Sequence, residues 1–164
     1  MRNTYTVEMA AGTVVADATL IIIRAATAWS SRASLLEILR VEVQQQGTST
    51  SQQLGVILAQ KASAFGTYVS ATPSPTAIGT VASAIAGSTT NAASSCGVNA
   101  SAEGAGTVTN ITTAGFNNLN GYLWVPTPEE RIWVGPDLTF IVKLRGTPTT
   151  LTNWNAVLTF QELT

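Results

Sequence analysis

Leu138-Thr139-Phe140-Ile141-Val142-Lys143-Leu144-Arg145 alternates strictly, with Leu138, Phe140, Val142 and Leu144 on one side and Thr139, Ile141, Lys143 and Arg145 on the other. A period of two puts successive side chains on opposite faces of a strand, so this stretch predicts a sheet with one apolar face. Gly146-Thr147-Pro148 closes it, and Asn155 to Leu163 repeats the pattern, with Ala156, Leu158 and Phe160 opposite Val157, Thr159 and Gln161. Nearer the N-terminus, Tyr5, Val7 and Met9 alternate with Thr6 and Glu8. Leu54, Val56 and Leu58 alternate with Gly55, Ile57 and Ala59. Leu20 to Arg24 is a continuous apolar run, the mark of a strand buried on both faces.

Ser34 to Val43 reads two ways. Ser34-Leu35-Leu36-Glu37 has the form of a capping box, and Leu35, Leu36, Leu39 and Val43 have helical spacing. Glu37, Leu39, Val41 and Val43 also alternate with Ile38, Arg40 and Glu42, and the β-branched residues favour a strand. Gln44 to Gln53 then forms a polar connection that turns at Gly47. Many short strands, Gly- and Pro-rich turns and little helix predict an all-β chain, a β-sandwich or jelly-roll-like fold. At 164 residues one domain is expected over 1–164. Ala71 to Gly115, rich in Ala, Ser, Thr and Gly, reads as a long loop and short-strand excursion opened by Thr72-Pro73-Ser74-Pro75.

The composition is poor in chemistry. Histidine is absent, cysteine occurs once and charged residues make up 10%, against about 25% in typical soluble domains. Hydrophobic residues make up 45%, and the mean hydropathy is +0.24. The net charge of -1 and the lack of a basic cluster argue against nucleic-acid binding. Glu8 and Asp17 interrupt any apolar leader and the longest aliphatic run is Leu20 to Ile23, so neither export nor a membrane span is expected. Cys96, flanked by small polar residues, reads as an inert thiol.

No enzyme is expected. Serine nucleophiles lack a histidine base, metal ligands are scattered, and no cofactor motif is present. Glu129 and Glu130, if in a strand, point to opposite faces and cannot converge on one bond. Among the tryptophans Trp29, Trp124, Trp133 and Trp154, two stand out. Trp124 lies in the aromatic stretch Gly121-Tyr122-Leu123-Trp124-Val125-Pro126, which could stack on a sugar or fill a partner's pocket. Trp133 alternates with Ile132 and Val134, so if those face a core, Trp133 faces away from it.

The run Asn118 to Arg131, with its segment Trp124-Val125-Pro126-Thr127-Pro128-Glu129-Glu130-Arg131, followed by Val134-Gly135-Pro136 and a strand, resembles small virion proteins of tailed bacteriophages. These often combine an aromatic, a P-T-P-E turn and an arginine with two closing strands. The resemblance is to the capsid decoration, or cement, type, from which this chain departs in its longer middle. It implies a β-sandwich on the outer capsid surface, made in the host cytoplasm. The implied partners are the major capsid protein and further copies of the chain, a homotrimer first and a dimer second. It also implies that Tyr5 and the arm before Val7, with Pro73 and Pro75, reach toward neighbours, and that Trp124 and Trp133 lie at protein contacts. Another virion part (tail, fibre or vertex) and a carbohydrate-binding module built on Tyr122 and Trp124 are the alternatives.

Overall fold

A computed structural model of the chain describes residues 2–25, 35–62, 65–71, 74–75 and 93–163. The strands are β1 (Arg2–Gly12), β2 (Thr19–Ala25), β3 (Leu35–Gln45), β4 (Gln53–Lys61), β5 (Thr67–Ser70), β6 (Ser74–Pro75), β7 (Ala93–Ala102), β8 (Val108–Asn117), β9 (Tyr122–Trp124), β10 (Ile132–Val134), β11 (Thr139–Arg145) and β12 (Trp154–Leu163). They form two antiparallel sheets. The first runs β10-β3-β12-β1-β6, with β9 also on β3, and the second runs β5-β7-β2-β11-β4-β8.

The pairing is nested. β1 pairs with β12, β2 with β11, β3 with β9 and β10, and β4 with β8, as in one long antiparallel hairpin. Two further ladders, β12 on β3 and β11 on β4, wrap that hairpin into the two sheets.

The alternating strands build the core as their sequences predict. Tyr5, Val7, Val41, Val43, Ala156, Leu158 and Phe160 from the first sheet join Ile21, Ile23, Val56, Leu58, Phe140, Val142 and Leu144 from the second in one buried cluster. The all-β sandwich expected from the sequence is the architecture found. Trp154 is fully buried. Its indole N–H donates to the Thr150 carbonyl at 2.8 Å, and it meets Phe116 edge-on with ring centroids 6.4 Å apart.

Ser34 lies outside the described residues, but the segment from Leu35 is strand. Its helical look has a local cause. The register shifts between Thr159 and Phe160 of β12, which pair with Arg40 and Ile38, leaving Leu39 as an extra residue. Buried positions therefore fall at Leu36, Ile38, Val41 and Val43, and the three-residue step across this bulge mimics a helical repeat.

The middle of the chain differs from expectation. Its described part holds two ten-residue strands, β7 and β8, instead of a loop with short strands; 76–92 lies outside the described residues. The sequence hid these strands because large side chains are few. Both are strands of the second sheet itself, β7 beside β2 and β8 beside β4, and their small residues leave room for large side chains on its outer face. Phe65, with Tyr68, Ala100 and Val108, covers Ile22, Ala59 and Ile141. This is why β2 is apolar on both faces. Lys61, also buried, donates to the Glu103 carbonyl and sits 4.9 Å above the Phe65 ring. The Glu103 carboxylate binds Lys143 at 2.5 Å and accepts from Thr19 at 3.3 Å.

Two further expectations are corrected. Residues before Val7 are paired to β12 from Arg2 onward, so they form a strand and not a free arm. Glu129 and Glu130 lie in a 3-10 turn, Pro128–Glu130, so the opposite-face argument for a strand does not apply to them.

Candidate functional site

The two outer faces of the sandwich differ. That of the second sheet carries the apolar cluster of Phe65 over Ile22, Ala59 and Ile141. That of the first sheet is laid out in open rows set by register. Thr4, Gln161, Glu37 and Trp133 form one row; Thr6, Thr159 and Arg40 the next; Glu8, Val157, Glu42 and Leu123 the third. Apart from Glu37, these side chains are half-buried or exposed.

The polar groups on this face largely satisfy one another. The Gln161 amide donates to Thr4 Oγ1 at 3.3 Å, and the Thr6 and Thr159 hydroxyls lie 3.4 Å apart. Arg40 pairs with Glu42. Arg131 Nη1 pairs at 3.1 Å with Glu37 Oε1, while Glu37 Oε2 is buried with no hydrogen-bond partner. Glu8 aside, the charges shown on this face are paired, which leaves little unneutralised charge to desolvate on contact.

Its apolar component lies along β9 and β10. Leu123 is 60% exposed, Val125 63% and Trp133 45%. Trp133 faces out because Ile132 and Val134, on either side of it, enter the core. Its carbonyl accepts from the Gln60 amide of β4 at 2.8 Å, which ties β10 to the second sheet and holds the indole in place. The alternation of Ile132, Trp133 and Val134 thus placed this residue correctly.

The other expected contact residues fare differently. Tyr5 is buried and stacks obliquely on Phe160 at 5.6 Å, so it is a core residue and not a contact. Trp124 and Tyr122 turn toward the core. Tyr122 meets Phe116 at 6.2 Å, and burial pushes its hydroxyl pKa up. The aromatic stretch therefore presents Leu123 and Val125 to solvent, not Trp124. Those two residues were missed, although the alternation within Gly121 to Pro126 contained the signal: one face aromatic and half-buried, the other aliphatic and exposed. Pro73 and Trp29 lie outside the described residues. Pro75 pairs with Tyr5 in the short bridge from β6 to β1.

No family model matches the chain, and no curated protein or solved structure matches it.

Reactive chemistry is scarce. Cys96 faces the core, and burial raises its thiol to about 12, far from the thiolate a nucleophile requires. Among the described residues no group of three or more Cys, Asp or Glu could hold a metal ion, and no helix is long and apolar enough to cross a membrane.

Proposed function

We propose that this chain is a structural protein of a bacteriophage virion, of the capsid decoration (cement) type, seated on the outside of the head. In this reading it binds the major capsid protein through the outer face of the first sheet and has no catalytic role. The observation that carries it is that face. Two neutralised ion pairs, a threonine and glutamine surface, and the exposed Leu123, Val125 and Trp133 suit a broad contact with protein. Leu123 and Val125 fall within the Asn118 to Arg131 run on which the resemblance to virion proteins rests, and Trp133 follows it directly. We also read the nested strand order as a jelly roll with β5, β6 and β7 added at one side, a wrap common to viral capsid and lectin domains.

A cement protein needs a stiff scaffold and many weak contacts multiplied by copy number, not a titrating group. A trimer at a local threefold position is the first arrangement to consider, and a dimer the second. The carbohydrate-binding alternative loses its platform of Tyr122 and Trp124, because both pack against the core.

The test is rebinding to purified particles that lack the protein. Native protein should co-sediment with them and restore resistance to heat and osmotic shock, and the double variant Leu123→Asp, Trp133→Asp should not. Particles indifferent to the protein in both assays would overturn the reading. A handful of copies per particle, instead of hundreds, would reassign it to a tail, fibre or vertex.

A further inference from the structure

Sheet edges are places where one chain can recruit another, because every second residue of an edge strand turns an unpaired N–H and C=O outward. Most edges of this molecule are blunted. β5 has four residues, β6 has two and ends in Pro75, and β9 and β10 have three each. The β1 edge carries β6 and the charged residues Arg2 and Glu8.

β8 is the exception. It is ten residues long, Val-Thr-Asn-Ile-Thr-Thr-Ala-Gly-Phe-Asn, with no charge and no proline. β4 pairs with one side of it, and no described strand pairs with the other. At Ile111, where Leu58 and Ala59 pair with Thr112 and Asn110, a bulge leaves one residue out of the β4 ladder.

We infer that β8 pairs antiparallel with β8 of a second copy of this chain, joining two second sheets across a twofold axis at Thr113. Three observations select a second copy. An uncharged strand opposes no like charges when paired with itself, and facing threonines make favourable cross-strand pairs. Ile111 is 44% exposed. Beside the same strand lies an open groove of about 340 Å³ lined by Gly55, Thr113, Gly115 and Arg145. Pairing centred on Thr113 sets Ile111 of one copy opposite Gly115 of the other, next to that groove. An added β-carbon at Gly115 would meet nothing closer than the Leu54 carbonyl oxygen at 3.8 Å, so the approach is unobstructed. The contact is isologous and closes at two copies, and it does not rest on the virion reading.

The experiment is mass by light scattering and sedimentation across a dilution series. The native protein should weigh twice the 17.1 kDa chain at high concentration and dissociate on dilution. Thr113→Lys, which sets two ammonium groups against each other at the axis, should be monomeric with an unchanged circular dichroism spectrum, and so should Thr113→Glu. An equimolar mixture of the two should recover the dimer. A native protein that stays monomeric at all concentrations, or variants that dimerise alone as well as the native chain, would overturn the inference. Hydrogen exchange on the native protein reads the same contact without mutation: amides between Ile111 and Gly115 should gain protection with concentration, and exchange independent of concentration would count against it.

Discussion

The ring of Tyr68 occupies the space into which a side chain at Gly97 would grow: a β-carbon there would fall 2.2 Å from Tyr68 Cδ2. Tyr68 lies in β5 and packs on the outer-face cluster of the second sheet, and Gly97 lies in the neighbouring strand β7. The glycine is needed because the ring approaches the backbone directly. Gly97→Ala should destabilise the fold by about 1–3 kcal/mol, the usual range for forcing an extra methyl into a filled site. In a Tyr68→Ala background most of that penalty should vanish. Urea unfolding of the four proteins in the cycle measures the coupling, and additive costs would show that the clash is relieved elsewhere.

The tryptophans divide by position. Trp154→Ala removes a fully buried ring and its hydrogen bond to Thr150, and should cost about 3–5 kcal/mol. Trp133→Ala, on the open face, should cost less than about 1 kcal/mol and, under the proposed capsid-binding role, should weaken attachment to particles. Thermal unfolding measures the first difference and co-sedimentation the second.

The ion pairs divide in the same way. Arg40 and Glu42 are an exposed pair, and Arg40→Ala should change stability by no more than about 0.5 kcal/mol. Removing Arg131 instead strands the Glu37 carboxylate, whose side chain is only 5% exposed. Arg131→Ala should therefore cost about 2 kcal/mol or more, since an uncompensated buried charge is left behind. Glu37→Gln in the Arg131→Ala background should recover part of the loss. Denaturant midpoints decide the comparison.

Where one residue type alternated with another, the sequence was legible. Phe140, Val142 and Leu144 and their counterparts in β1, β4 and β12 entered the core as read, and Trp133 faced outward for the same reason. What stayed hidden was whatever depended on neighbours distant in sequence. Nothing in Ala93 to Ala102 announces a strand, because its residues are small; at Gly97, where the Tyr68 ring crosses from the neighbouring strand, a small residue is required. The bulge at Leu39 broke the period of β3 and lent it a helical look. Tyr5 was misplaced because an aromatic near a chain end looks free until its partner, Phe160 of the last strand, is brought beside it. On the open face, Trp124 drew attention by residue type, while Leu123 and Val125 took the exposed positions by geometry.

Glu162 supplies a pH test of the interior. It is 3% exposed and shares a ladder position with Leu36 on the core side of the first sheet. Burial raises its pKa above the ordinary carboxylate range, while Tyr5 partly offsets the shift by favouring the charged form. A folded pKa above the unfolded one means that the native state holds the proton more tightly. Stability from this group is therefore present below the unfolded value, about 4.3 for a glutamate, and is lost as pH rises through the folded value. Glu162→Gln keeps the shape and a hydrogen-bonding oxygen but cannot ionise. Relative to the native chain, the variant should gain stability as pH rises from about 4 toward 7, and the gap should be smallest at acid pH. Melting temperatures of both proteins across that range test this, and parallel curves would show that the Glu162 carboxylate ionises in the native state as readily as in the unfolded chain.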